Sequence, residues 1–323
     1  MKQINIGFIG AGDISILHAQ SIHECPEAQL VGLWNITPEL AQEKSKRYDC
    51  KIYESAEALV ADPNIDAVFV LTNLETHHYY TLMALQAGKH VYVEKPVGAT
   101  ISELKEMQRT ADANNLICMP GHNYIYEPGL FRSKKMLESG RLGKLSALYI
   151  MYNIHHPEEV ASRYPGVIRH IMTHHAYIHL YLAGMPQALT AMKSVIDYQD
   201  FQEENLAMVT LQHKGGALCH YTASFATDDH SSDPWTMMVK IIGTEGATRY
   251  SYRDWVENKP GEVHSHTFSA YQETITQAGQ YFMEECIAKG RQPLSSMQDA
   301  IHAQKIIEGI EMAIREGKTT VIN

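Results

Sequence analysis

Short apolar stretches alternate with longer, half-polar ones along the first third of the chain. Residues 4–9 form an apolar run that ends at Gly10-Ala11-Gly12, after which Ile14, Leu17 and Ile22 recur on an approximate helical face. A second apolar segment, 29–34, ends at Asn35, and Pro38 then stands near the start of a polar helix reaching toward Tyr48. Asp62-Pro63-Asn64 punctuates the chain before an apolar run at 67–71, and a helix over 76–87 is closed by Gly88. The alternation continues with a strand at 89–93, a helix over 100–114 and a short strand at 116–119. Strands that are apolar on both faces and separated by helices form parallel sheets covered on both sides. The pattern therefore predicts an N-terminal, Rossmann-type doubly wound domain over 1–122.

Beyond Gly143 the character changes. Strand candidates at 145–152, 188–195, 205–211, 216–225 and 235–242 are separated by turn residues, the mark of a largely antiparallel sheet. Helices are predicted at 168–182, closed by Gly184, and at 271–289, closed by Gly290. An α/β first domain followed by a C-terminal α+β domain on an open sheet, 123–295, is the expected architecture. A C-terminal helix and tail over 296–323 can pack back on the first domain. An open sheet backed by helices on one face leaves the other to meet a neighbour, so a homodimer or homotetramer is expected.

Composition narrows the function classes. A length of 323 residues favours two domains. With 45% hydrophobic and 20% charged residues, a packed core is affordable. The net charge of -10, with no Lys/Arg stripe, disfavours nucleic acid as a partner. No leader-like start and no membrane-length apolar run are read in the sequence, and the five cysteines are scattered without a CxxC pair. These features point to a cytoplasmic location and to cysteines that act as small buried residues.

Gly10-Ala11-Gly12 directly after a strand supplies the tight turn and close backbone approach that a pyrophosphate requires, and the amides at Asp13 and Ile14 open the following helix toward it. Position 15 is Ser where a GxGxxG fingerprint has its third glycine, a site that governs helix-to-strand packing more than phosphate contact. At the end of the second strand, where a carboxylate commonly accepts from ribose hydroxyls, stands Asn35. Asn can bond a ribose diol without repelling a 2′-phosphate, but Asn35-Ile36-Thr37-Pro38 holds no Arg or Lys to neutralise one. NAD is the expected cofactor, with NADP not excluded.

Gly10-Ala11-Gly12, the stretch from Thr72 to His77, Glu94-Lys95-Pro96, Gly121-His122-Asn123-Tyr124 and the helix beginning near Ile168 together resemble the glucose-fructose oxidoreductase and inositol dehydrogenase (Gfo/Idh/MocA) family over most of the chain. The resemblance implies that Lys95 contacts the substrate oxygen, that Glu94 with Pro96 fixes the backbone beside the nicotinamide, and that Thr72, Asn73, His77 and Asn123 belong to the cofactor site. It places His174 on the catalytic histidine position. His170 stands where the family carries an aspartate. At i,i+4 the two rings can share a helix face, but His170 cannot act as an anionic orienter for His174. A changed substrate contact and a changed proton relay both remain open. His122, Tyr126, His156 and His170 are the candidate substrate-binding residues.

His174-His175, His179, His155-His156, His264 and His266 make the chain rich in imidazole, yet their spacing carries no metal signature and there is no His-Glu-x-x-His. No metal is expected in the chemistry. The expected activity is hydride transfer between a nicotinamide cofactor and a secondary alcohol of a sugar, sugar derivative or cyclitol. Two alternatives stand beside it: an NAD-dependent glycoside-cleaving enzyme that oxidises its substrate transiently, and a catalytically degenerate nucleotide sensor.

Overall fold

The computed structural model describes residues 3–226, 235–251 and 265–322. The chain forms two compact units, Met1–Tyr126 with Gln272–Ile301, and Glu127–Tyr271 with His302–Asn323. Among the described residues no helix is long and apolar enough to cross a membrane.

The first unit runs β1 (Ile4–Ile9), α1 (Ile14–His23), β2 (Ala28–Trp34), α2 (Pro38–Tyr48), β3 (Lys51–Ile52), α3 (Ala56–Ala61), β4 (Ala67–Val70), α4 (Leu74–Gln86), β5 (His90–Val93), α5 (Ile101–Ala113) and β6 (Cys118–Pro120). Its strands lie in the order β3-β2-β1-β4-β5-β6, and every pairing is parallel. The alternation of apolar runs and half-polar helices thus produces the doubly wound sheet that it predicts. β3 and α3 were not expected. A strand of two exposed residues has no periodicity to read, and α3 is a single short helix whose start is capped by the Ser55 hydroxyl.

Both faces of this sheet are dry. On one, Phe8, Phe69 and Tyr92 are cross-strand neighbours, with Phe69 and Tyr92 stacked at 4.8 Å. On the other, Val68, Val70, Val91 and Val93 pack against Leu59, Leu85, Leu104 and Met107. Burial on two sides explains why these strands are continuously apolar rather than alternating.

The second unit contains α6 (Pro128–Glu138), β7 (Leu145–Ile154), α7 (Glu158–Ala161), α8 (Gly166–His170), α9 (Met172–Ala183), β8 (Ala188–Ser194), β9 (Leu206–Gln212), β10 (Leu218–Ser224), β11 (Trp235–Gly243) and β12 (Ala247–Ser251). Three elements follow: α10 (Ser265–Gln280), whose last turns belong to the first unit and widen into a π-type segment at Tyr281–Ile287, then α11 (Met297–Glu316) and β13 (Thr320–Val321). The sheet order is β12-β11-β7-β10-β9-β8-β13, and only β7 with β10 is parallel. That is the largely antiparallel open sheet the turn-rich pattern predicts.

One face of this sheet carries Leu148, Ile150, Val209, Leu211, Tyr221 and Val239, all buried. The other presents a cross-strand row of Met238, Met151, Thr222, Met208 and Met192, in register over five strands. Met192 is 80% and Met208 46% exposed, and the other three are partly exposed, among the described residues.

The expected continuous helix over 168–182 is instead two, broken at Ile171. Gly166 starts α8 with φ +74° and lies so close to the Glu204 carboxylate that a Cβ there would meet it at 2.3 Å. Glu204 in turn accepts the Ile168 N–H at 3.0 Å and pairs with Lys193 at 3.0 Å. This buried carboxylate caps α8 and so sets the position of His170.

Candidate active site

In the first unit β1 and β4 are sheet neighbours although β2 and β3 come between them in sequence, so the chain direction of travel reverses there. Open α/β sheets place their ligands beyond the carboxyl ends of the strands at such a switch point. Gly10 occupies it. Its φ of +98° suits glycine, and a Cβ would stand 2.7 Å from the Leu71 carbonyl carbon at the end of β4. Gly12 is different: a Cβ there would meet nothing within 4 Å. Among the described residues the amides of Gly12, Asp13 and Ile14 carry no hydrogen bond, and they open the ten-residue helix α1. Three amides and a helix dipole beside open space fit a pyrophosphate.

Asn35 reaches back to this turn. Its Oδ1 accepts the Ala11 N–H at 2.9 Å and its Nδ2 donates to the Thr37 carbonyl at 3.2 Å. Ser15, at the third-glycine position, is fully buried; its hydroxyl donates to the Gly12 carbonyl at 2.6 Å and meets the Tyr48 hydroxyl at 2.8 Å. The extra atoms are absorbed by packing between α1 and α2, away from the open side of the turn.

The loops after β4 and β5 meet the same edge of the sheet. His77, on α4, is buried between them, with Nδ1 2.7 Å from the Pro96 carbonyl and Nε2 2.9 Å from the Thr72 carbonyl. Burial lowers its pKa, while the two carbonyls oppose the shift. Asn73 stands at the N-cap of α4, and its side chain makes no capping hydrogen bond.

Glu94 is buried at the end of β5. Burial raises its carboxyl, but the hydrogen bond and charge of His18 and the nearby Lys95 outweigh it and leave the pKa below the usual value. One oxygen lies 2.8 Å from His18 Nε2; the other accepts the Lys95 N–H at 2.9 Å. His18, also fully buried and edge-on to Phe69 and Tyr92, is a residue the sequence reading missed. A lone histidine on an apolar helix face reads as core. Lys95 is half-buried, which depresses its ammonium pKa against the opposing charge of Glu94. Its peptide bond to Pro96 is cis.

His122, Asn123 and Tyr126 are buried at the end of this domain and bonded to the returning 272–301 segment. His122 Nδ1 meets the Ser295 hydroxyl at 2.6 Å, Asn123 Nδ2 donates to Thr274, and the Tyr126 hydroxyl accepts the Leu294 N–H at 3.2 Å. Burial pushes His122 down to about 3 and Tyr126 well above its ordinary value.

In the second unit His174 is buried on α9, with Nδ1 2.7 Å from the Tyr177 hydroxyl and its ring against Tyr152. Tyr177 is the second residue the sequence reading missed, although its i+3 spacing from His174 put it on the same helix face. His170 stacks on Tyr164 with centroids 3.9 Å apart, and Phe225 and His156 complete an aromatic cluster. Burial, with the charge of neighbouring His155, lowers His156 to about 4. Among the described residues, neither His170 nor His174 belongs to a three-ligand metal grouping; His264 and the side chain of His266 lie outside the described residues.

Two family models match in succession. Residues 4–122 fit the oxidoreductase family NAD-binding Rossmann fold, and residues 132–249 the GFO/IDH/MocA C-terminal domain. A scyllo-inositol 2-dehydrogenase (NADP(+)) of Bacillus subtilis is 29% identical over 58% of this chain, and the match spans only 54% of that protein's length. A 4-carboxy-2-hydroxymuconate-6-semialdehyde dehydrogenase of Sphingobium is 23% identical over 97% of this chain and 99% of its own. Among solved structures, scyllo-inositol dehydrogenase from Lactobacillus casei, with bound cofactor NAD(H) and scyllo-inositol, superposes with a TM-score of 0.88 at 18% identity, covering 99% of each chain. At that identity the likeness is one of fold. With both domain models matched in order over most of its length, the chain belongs to the GFO/IDH/MocA oxidoreductase family.

Proposed function

We propose that this protein is a nicotinamide-dependent oxidoreductase that moves a hydride between its cofactor and a secondary alcohol of a sugar, sugar derivative or cyclitol. The observation that carries the reading is the meeting, at one carboxyl edge of the sheet and beside the switch point, of the open glycine turn, the Thr72-Asn73 loop and the Glu94-Lys95-Pro96 loop. The inositol dehydrogenases among its relatives, one of them holding NAD(H) and scyllo-inositol, support the substrate class.

Gly10, Ala11, Gly12, Asp13 and Ile14 would hold the pyrophosphate, with Asn35, Thr72, Asn73, Glu94, Lys95 and Asn123 completing the cofactor site. When bound, the nicotinamide supplies the hydride acceptor or donor. Asn35 and the uncharged turn after it favour NAD over NADP, whereas the Bacillus relative is named for NADP(+). His77 serves by joining two loops, since both of its nitrogens face protein carbonyls.

His174 is the proton-handling residue in this reading. In the oxidation direction its Nδ1–H donates to the Tyr177 hydroxyl while Nε2 takes the alcohol proton; in reduction Nε2 returns it. Tyr177 thereby does the orienting that an aspartate at position 170 would otherwise share. Lys95 binds the substrate oxygen and favours alkoxide charge on it. His170 and His156 contribute aromatic ring surface to substrate binding, and His122 and Tyr126 hold that end of the first unit in place. The row led by the exposed Met192 and Met208 makes the open sheet face the contact of a homo-oligomer in this reading.

A screen of sugars and cyclitols with NAD and NADP, followed by reduced-nicotinamide absorbance, tests the proposal. Turnover with NAD on a polyol is expected. Retention of tightly bound NAD with cleavage of a glycoside would replace the reading with transient oxidation, and saturable NADH binding with no turnover on any polyol would reduce the protein to a sensor.

A further inference from the structure

Away from the residues assigned to hydride transfer, three side chains with metal-ligand chemistry converge within the second unit. His179 on α9, His213 in the β9–β10 turn and Cys219 on β10 bring one ligand atom each to within 4.8 Å of one another. The geometry is fixed by the hairpin: Cys219 pairs with Leu211 across the ladder, and the His213 N–H donates to the Ala217 carbonyl at 3.0 Å. His179 and Cys219 are buried, and His213 is half-buried, giving the group one side toward solvent. The Nε2 atoms of His179 and His213 are 2.9 Å apart in rings only 11° from parallel.

That contact uses one N–H and one lone pair, so a second nitrogen on each ring still has to be accounted for. His179 Nδ1 is buried with no partner among the described residues. So are both nitrogens of His175, one turn earlier, and the hydroxyl of Tyr221, whose ring lies 5.3 Å from that of His175 and 5.6 Å from that of His179. These atoms lie beside the three-residue group and are not its ligand atoms; they mark a buried polar neighbourhood short of partners among the described residues.

We propose that His179, His213 and Cys219 form a binding site for a divalent ion of the zinc class, unconnected with the hydride-transfer chemistry. Two imidazoles and one thiolate are zinc's preferred donors, at about 2.0–2.1 Å for nitrogen and about 2.3 Å for sulfur, with solvent on the His213 side as the fourth ligand. Tetrahedral coordination at those lengths needs the nitrogens about 3.3 Å apart, so the rings must open by a few tenths of an ångström.

The binding step balances as follows in protons. Before binding, Cys219 carries its thiol proton and the His179–His213 contact holds one Nε2–H. On binding, Cys219 Sγ–H loses its proton to solvent, and the imidazole that carried Nε2–H moves that proton to its own Nδ1. One proton leaves per ion.

Tag-free protein, stripped with a chelator and freed of nucleotide, is titrated with ZnCl2 by calorimetry in two buffers of different ionisation enthalpy, and with CoCl2 by absorbance. One ion per chain, release of one proton, and a sulfur-to-cobalt charge-transfer band are expected. His213→Ala, in a half-exposed turn, retains the native circular dichroism and weakens binding at least about tenfold. Cys219→Ser abolishes the charge-transfer band. Absence of saturable binding overturns the site. So does a cobalt spectrum without sulfur ligation, unchanged affinity in His213→Ala, or a band lost in Cys25→Ser instead, since Cys25 lies in another grouping with Glu27 and Glu284.

Discussion

Gly10 and Gly12 are two positions apart and should fail in opposite ways when a side chain is added. At Gly10 an alanine must adopt φ near +98° and place its Cβ 2.7 Å from Leu71 backbone atoms. The left-handed conformation costs about 1–2 kcal/mol, and overlap that only a backbone shift relieves costs about 1–3 kcal/mol more. Gly10→Ala therefore destabilises the first unit by about 2–5 kcal/mol. At Gly12 a Cβ meets nothing within 4 Å, so Gly12→Val leaves stability within about 0.5 kcal/mol. The valine instead fills the space in front of the Gly12, Asp13 and Ile14 amides. Loss of one amide hydrogen bond to a charged phosphate costs about 1.5–3 kcal/mol, or about 10- to 150-fold in NADH affinity. Thermal scans of the nucleotide-free variants under identical conditions, paired with NADH titration by fluorescence, separate the two effects; a two-unit chain need not melt in one step, so the comparison is between variants. Gly12→Val melting as early as Gly10→Ala, or binding NADH as the parent does, would refute the assignment of the open side of the turn to the pyrophosphate.

Ser15→Gly removes two buried hydrogen bonds, and stability should fall by about 1–3 kcal/mol with NADH affinity nearly unchanged; a large affinity change would put Ser15 in the binding surface. His174→Ala should lower kcat by about 10²- to 10⁴-fold at constant NADH affinity, and Tyr177→Phe by about 2- to 12-fold, the equivalent of one hydrogen bond of about 0.5–1.5 kcal/mol; an unaffected kcat removes either residue from the proton path. His175 is buried neutral with its pKa lowered to about 3, so the unfolded chain binds more protons below pH 6.5 and stability is lost as pH falls from there toward the folded value. His175→Leu should flatten that acid slope by about 1.4 kcal/mol per pH unit in urea titrations, and an unchanged slope would show that the ring does not stay neutral. Glutamate at both Tyr149 and Met208, exposed on the open face, should dissociate the proposed oligomer in sedimentation without lowering the melting temperature of the isolated chain; an intact oligomer, or a parent that is already monomeric, would refute that contact.

The doubly wound first domain was legible because its strands are buried on both faces and its helices are bounded by residues such as Pro38 and Gly88. The second sheet was legible in its strands but not in its pairing: residues 145–154 and 218–224 alternate as any half-buried strands do, and nothing local encodes that β7 and β10 run parallel. α6 escaped although Pro128 occupies a first-turn position and Glu127 caps it by accepting the Leu130 N–H. The separate start of α8 escaped because the Glu204 carboxylate that caps it beside Gly166 lies far along the chain. At the site, motif-borne residues such as Gly10, Gly12 and Lys95 could be named in advance. His18 and Tyr177 could not, since each acts through a single partner that only folding supplies.

The buried ring of His77 ties two loops of the first unit like one rivet through two plates. Because the Thr72 and Pro96 carbonyls share it, neither loop can gain or lose a residue without dragging the other, and lengthening either would displace Lys95 as well. Divergence toward new substrates therefore has little room on this side of the molecule. It has to be written instead in the surroundings of His156, Tyr164, His170 and Phe225, where rings can change while Tyr198 holds the His156 and Phe225 backbone carbonyls.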